Sequence, residues 1–187
     1  EVLREMSEWL RGRWIAIEGY EAGRRIFIRY GHGRKPLTVS NPRDLERLVL
    51  MHKSRIRTIY GSINVYQKLE SDGDTETLPN IIATTPSWDI DASLEGWNYA
   101  IEAAKVLIET LERFGVTRSV YLIWSGKGIH IHINENALSE DVRKRIHPFD
   151  AAYAVVEFVL RIARPRLINI VKASSGTLKI ENVMDMK

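Results

Sequence analysis

The chain has 187 residues, 27 Lys+Arg against 24 Asp+Glu, and no cysteine. That length suits one large domain with its own hydrophobic core. The missing cysteines exclude a disulfide framework, Cys-ligated zinc, an iron–sulfur cluster and a thiol nucleophile. Apolar residues at 44% and charged residues at 27% are ordinary for a globular protein. No apolar run approaches the ~18 residues of a membrane span and no signal-peptide pattern opens the chain, so a cytoplasmic protein is the expectation. Charge is unevenly placed: residues 1–60 hold 13 Lys+Arg against 7 Asp+Glu, net +6, and residues 61–187 hold 14 against 17, net −3. A basic first third suggests a polyanionic partner on one side; a solvated surface of mixed charge is the plainer reading.

In chain order, residues 2–10 carry an amphipathic helix pattern through Val2, Leu3, Met6, Trp9 and Leu10. Trp14 to Ile17 and Arg25 to Tyr30 read as two strands of a hairpin. Asn41-Pro42 opens a helix to about Met51. Ile56 to Val65 is strand-like, and ESDGDTET at 70–77 is an acidic loop without calcium-loop spacing. Asn80 to Asp91 is apolar and β-rich. Residues 94–114 form a helix, with Trp97, Ile101, Ala104, Leu107 and Leu111 in register and Gly115 as its stop. Ser119 to Trp124 and Ile129 to Ile133 are strands around Ser125-Gly126-Lys127-Gly128. Phe149 to Ala163 is a second helix, closed by Arg164-Pro165-Arg166. Leu167 to Val171 and Leu178 to Val183 are read as strands on either side of the turn Ser174-Ser175-Gly176. Hairpins mixed with α–β crossings predict an α+β fold with largely antiparallel sheet.

Three places could carry chemistry. Asp89 and Asp91, two apart on a strand, share one face while Ile90 takes the other. Two adjacent carboxylates repel unless a divalent cation lies between them, and hard oxygen donors suit Mg²⁺ or Mn²⁺. The pair could equally end its strand and cap the helix near residue 94. In Ser125-Gly126-Lys127-Gly128, glycines let a tight turn present backbone N–H groups to an anion; Ser125, Lys127 and His130 add a hydroxyl, a cation and a further donor, a set suited to a triphosphate. An ordinary hairpin turn with an exposed lysine fits the same residues. His130 and His132 share a strand face, so a His-x-His zinc site, needing a third ligand, is the alternative there. Glu181, with Asp185 behind it, could supply a third carboxylate.

Taken together, these residues resemble the archaeo-eukaryotic primase superfamily, closest to the small catalytic subunit of archaeal DNA primase. The family's Asp-x-Asp corresponds to Asp89-Ile90-Asp91, its Ser-Gly-x-x-Gly-x-His to Ser125-Gly126-Lys127-Gly128-Ile129-His130, and its hydrophobic-Asp/Glu to Ile180-Glu181. Ile59-Tyr60-Gly61-Ser62 is similar to the stretch preceding the first motif. The second motif is one residue shorter than usual, and Glu181 stands where the small subunit usually has Asp. The family's following element, a strand leading to Ser-Leu-His, would lie beyond Lys187.

The resemblance implies a primase–polymerase catalytic core with an RRM-like antiparallel sheet flanked by helices. It would be a single domain over 1–187, shortened at its C-terminus, with 1–78 a basic subregion and 79–187 carrying the motifs. It implies a nucleotidyltransferase using NTPs or dNTPs on a single-stranded DNA template, with a primase large subunit as partner. Asp89, Asp91 and Glu181 (Asp185 in reserve) would hold two Mg²⁺ or Mn²⁺ ions. Ser125, Gly126, Lys127, Gly128 and His130 would hold the nucleotide. Arg24, Arg25, Arg29, Arg34 and Lys35 would track template phosphates, and Trp14, Tyr30 or Tyr60 could stack on bases. The rival from another class is a non-catalytic nucleic-acid-binding module; an Asp-x-Asp glycosyltransferase and a His-x-His zinc hydrolase stand further off.

Overall fold

Alternating apolar residues in the first 84 residues build one antiparallel sheet. In a computed structural model that describes residues 1–183, the chain divides into two compact units, 1–84 and 85 onward. The first unit holds helix α1 (Val2–Leu10), strands β1 (Arg13–Glu21) and β2 (Arg24–Ile28), helix α2 (Pro42–Met51), and strands β3 (Ile56–Tyr66) and β4 (Ile81–Thr84). The strand order is β2-β1-β3-β4. The hairpin, the two helices and the long strand are where the sequence pattern puts them. Pro42 occupies the first turn of α2, where its missing N–H costs nothing. The Asn41 side chain caps that helix, accepting from the backbone N–H groups of Arg43 and Asp44 at 3.0 and 3.1 Å. Leu10, Ile15, Val39 and Leu45 form the core between sheet and helices, with Trp9, Leu48 and Ile59 packed around them.

Arg13 is fully buried in this unit. Its guanidinium donates to the carbonyls of Trp9, Ser62 and Ile63 at 2.8, 2.9 and 3.1 Å and lies 4.3 Å from the Trp9 ring. A buried cation survives only with its donors used, so Arg13 is a structural fastening. The acidic 70–77 loop forms a short 3₁₀ turn at Asp72–Thr75. Asp74 accepts from the backbone N–H groups of Glu70 and Ser71.

The second unit holds β5 (Ser87–Ala92), α3 (Trp97–Arg113), β6 (Val120–Trp124), β7 (Gly128–Ile133), α4 (Glu140–Arg145), α5 (Pro148–Ala173) and β8 (Leu178–Asn182). Setting α4 aside, the order along the chain is β-α-β-β-α-β. The sheet order is β6-β7-β5-β8 with every neighbour antiparallel, the split-βαβ arrangement. One face packs on α3 and α5: Trp88, Ile90 and Ile131 are fully buried, as are Ala100 and Leu107 of α3 and Ala152 and Val156 of α5. The Trp88 indole N–H reaches the Val156 carbonyl at 3.4 Å. Alternation then sends Ser87, Asp89 and Asp91 to the opposite face.

One segment departs from the sequence reading. Helix α5 runs 26 residues, through Pro165, to Ala173. There is no strand at 167–171, and Arg164-Pro165-Arg166 does not close the helix. Ala163 and Leu167 both lie in the core, on either side of the proline. Burial of that stripe outweighs the missing hydrogen bond that normally makes proline a stop.

Candidate functional site

The face of the second sheet opposite Trp88 and Ile90 gathers the predicted carboxylates by register. Asp89 lies directly opposite His130 of β7 on one side and Glu181 of β8 on the other; Asp91 lies opposite Gly128 and Lys179. Directly opposed residues in an antiparallel pair have Cα atoms about 4.5–5.5 Å apart, so Asp89, Asp91 and Glu181 share one small area of sheet. The capping alternative for Asp91 fails: Ser93 caps the turn before α3, its hydroxyl accepting from the Gly96 N–H at 3.3 Å. Asp185 lies outside the described residues.

Asp89 is the electrostatic centre. Its side chain is 23% exposed, and His130 Nε2 stands 3.3 Å from Oδ1. That oxygen is buried and accepts no hydrogen bond. Burial raises the carboxyl's pKa; His130 opposes the shift, and the charges of Asp91 and Glu181 reinforce it. Lys179 Nζ bonds Glu181 at 2.5 Å, and this pairing raises the lysine's pKa. Lys179 was not among the predicted residues. Its signal was alternation: two positions before Glu181 on one strand, it must share that face.

His132 has a different occupation. Its Nδ1 lies 2.7 Å from the Ser87 hydroxyl and its ring stacks on Tyr121 with centroids 5.0 Å apart. It is buried beside its neighbour His130, ring to ring 6.0 Å. These partners fix the imidazole as part of the sheet face.

The Ser125–Gly128 segment is a two-residue hairpin turn closed by Ser125 N–H to the Gly128 carbonyl at 3.1 Å. Gly126 takes φ +83°, the left-handed geometry a glycine supplies at the first loop position. Gly128 has another reason. A Cβ there would stand 2.1 Å from the Ile90 carbonyl oxygen, so strand approach to β5 demands it. The Lys127 N–H is already used by the Ser125 hydroxyl at 3.3 Å. The segment therefore offers the Lys127 side chain, more than a cradle of free amides. Lys127 and Lys179 both line a groove of about 1030 Å³ at this end of the sheet, together with Asp91, Trp97, Trp124 and Thr177. A second groove, about 1090 Å³, runs along α5 and is walled by Phe158, Leu167, Ile168 and Val171. Asp89 is not among its walls.

The predicted template residues sit in the first unit, all exposed. Arg25 is paired with Glu18 at 2.7 Å and Arg34 with Asp72 at 2.8 Å, so two of the five cations are partly neutralised.

Among the described residues, no three His, Asp or Glu side chains converge closely enough to enclose a metal ion. The donor set on the Asp89 face is nevertheless the oxygen-rich kind that suits Mg²⁺ or Mn²⁺. The buried Asp89 oxygen makes no hydrogen bond and faces the His130 Nε2 at 3.3 Å. In comparisons with known proteins, no family model matches the chain and no curated protein matches it.

Proposed function

We propose that the chain is a template-directed nucleotidyltransferase of the primase–polymerase type, making or extending strands from NTPs or dNTPs. The observation that carries this reading is the cross-strand grouping of Asp89, Asp91 and Glu181 on one sheet face. Asp89 has a buried oxygen without a hydrogen bond, and two lysines stand at the sheet's end. Three carboxylates with one lysine paired to Glu181 leave Asp89 and Asp91 side by side, an arrangement a divalent cation would relieve.

Asp89, Asp91 and Glu181 would hold the divalent ions, which when bound supply charge stabilisation for the α-phosphate and the leaving pyrophosphate and ease deprotonation of the 3′-hydroxyl. The protein's own side chains do the rest. Lys127, with Lys179 beside the same groove, meets the β- and γ-phosphates. Ser125 and His130 fix their orientation. The 3′-oxygen attacks the α-phosphorus, the bond to the β-phosphate breaks, and pyrophosphate leaves. Arg24, Arg25, Arg29, Arg34 and Lys35 supply cations for the template backbone.

The test is template-dependent incorporation of labelled nucleotide with Mg²⁺ or Mn²⁺. Asp89→Ala/Asp91→Ala should lower incorporation by about 10³-fold or more, the equivalent of several kcal/mol of lost charge stabilisation. No incorporation by the native chain, with salt-sensitive DNA binding intact, would leave the non-catalytic binding module in its place.

A further inference from the structure

Strand β8 closes one edge of the second sheet, and among the described residues it pairs with β5 alone. The phase of that ladder shows which of its backbone groups are spent. The Ser93 N–H donates to the Thr177 carbonyl at 3.0 Å, one register step beyond the pair Ala92–Leu178. Hydrogen-bonded and non-hydrogen-bonded pairs alternate along an antiparallel ladder. Lys179 and Glu181 therefore turn their N–H and C=O groups toward β5, and Leu178 and Ile180 turn theirs to the outer edge. Natural sheets blunt such an edge with proline, a bulge or lysine. Strand β8 has no proline, and its register with β5 runs without a shift. Its lysine is already met by Glu181, two positions on.

The sequence of β8, Leu178-Lys179-Ile180-Glu181-Asn182, is self-complementary about its centre. Turned by a twofold axis at Ile180, the strand meets a second copy of itself with Ile180 opposite Ile180, Leu178 opposite Asn182 and Lys179 opposite Glu181. This register joins the outward backbone groups of Leu178 and Ile180 to outward groups of the other copy. Charge selects it over its neighbours of the same phase. Sliding one strand by two residues sets Lys179 against Lys179 in one direction and Glu181 against Glu181 in the other, and like charges directly opposite are destabilising. The surroundings of the edge agree. Leu178 and Ile180 of β8 wall the groove of about 1090 Å³ together with Phe158, Ile168 and Val171 of α5. Ile168 is 40% exposed and Phe158 37%. Ile180 lies opposite the buried Ile90, so an added strand in this register extends apolar side chains over that same groove.

We propose that β8 pairs with β8 of a second copy of this chain, joining two four-stranded sheets into one continuous sheet, with Lys179 of each copy against Glu181 of the other. An acidic peptide strand in the same place would satisfy Lys179 but set a like charge against Glu181. The pairing bears on the carboxylate face. Lys179 and Glu181 lie opposite Asp91 and Asp89, so the partner copy brings a cation to the edge of that group. Lys179 is 68% exposed on its own strand, and its exchange to the facing carboxylate buries no new isolated charge. The proposal does not rest on the polymerase reading, because association is measured with neither metal nor nucleotide present.

The experiment is sedimentation velocity of the full chain over a concentration series, and a dimer is expected. Ile180→Pro removes an outward N–H and leaves the ladder to β5 whole, so it should give a monomer with native far-UV dichroism. Lys179→Glu should weaken the dimer by about 10-fold or more, and the exchange Lys179→Glu/Glu181→Lys should restore it. The register has a test of its own, since the chain has no cysteine. Cα atoms directly opposed in a non-hydrogen-bonded pair stand about 4.5 Å apart, within disulfide reach. Oxidation of Lys179→Cys mixed with Glu181→Cys should therefore cross-link two copies, and either variant alone should not. A native chain that stays monomeric overturns the proposal, as does a dimer indifferent to Lys179→Glu or one that Lys179→Cys cross-links alone. Should Ile180→Pro lose its native dichroism, the charge exchange, which leaves the backbone untouched, decides.

Discussion

Asp89 stands where its own charge is costly. It is desolvated between two strands and has carboxylates beside it and opposite it. Its near neighbour across the strands is one imidazole nitrogen, His130 Nε2 at 3.3 Å. A carboxyl whose pKa is raised on folding binds its proton more tightly in the native state, so it lowers stability as pH rises above the ordinary carboxylate range. Asp89→Asn removes that penalty and keeps the shape. It should raise the thermal midpoint at neutral pH. The advantage should fade on acidification, once the native carboxyl is protonated in both states. The same variant should lose metal-dependent incorporation. Thermal melts at several pH values, set beside the incorporation assay, check this. A destabilised Asp89→Asn chain would mean that the carboxylate is a structural partner of His130 and not a residue kept for a ligand.

At the scale of elements, the strands and α3 were legible because each repeats one period without conflict. Ile129, Ile131 and Ile133 alternate with His130 and His132, and all three isoleucines are buried. The same alternation made Asp89, Asp91 and His130 readable as one face. Helix α5 was not legible in full, because Pro165 is a strong local signal and the packing of Ala163 and Leu167 that overrides it is long-range. The position of Glu181 opposite Asp89 was hidden for a related reason. It depends on β8 entering the sheet beside β5, some 90 residues earlier in sequence, and no local pattern specifies that neighbour. Gly128 carries a packing reason that its motif does not reveal: a Cβ there would stand 2.1 Å from the Ile90 carbonyl oxygen. The proline permits a direct check. Within a continuous helix, Pro165→Ala restores one N–H···O=C bond and relieves ring crowding, so it should stabilise the chain by about 1–3 kcal/mol in urea unfolding. A helix that ended at Arg164 would gain nothing from the change.

At the scale of the whole molecule, the two chemistries fall in different stretches of chain. Every strand of the second sheet and both helices packed on it come from residue 85 onward, and the carboxylates, His130, Lys127 and Lys179 belong to that sheet or its turn. The predicted template cations, Arg24, Arg25, Arg29, Arg34 and Lys35, come wholly from residues before 84. The second stretch has its own core of Trp88, Ile90, Ile131, Leu107 and Val156 and a closed β-α-β-β-α-β path. A piece spanning residues 85–187 should therefore fold cooperatively, with near-UV dichroism from the buried Trp88. It should retain Mn²⁺ binding, read as paramagnetic broadening of the His130 and Asp89 resonances, and that binding should be lost in Asp89→Asn. It should no longer bind oligo-dT measurably, because the template cations are gone. Retention of oligo-dT binding by the piece would move the nucleic-acid surface to the second sheet. Broadening that persists in Asp89→Asn would move the metal elsewhere. If both happened together, the division of labour between the two sheets would be wrong, even with each sheet folded as described.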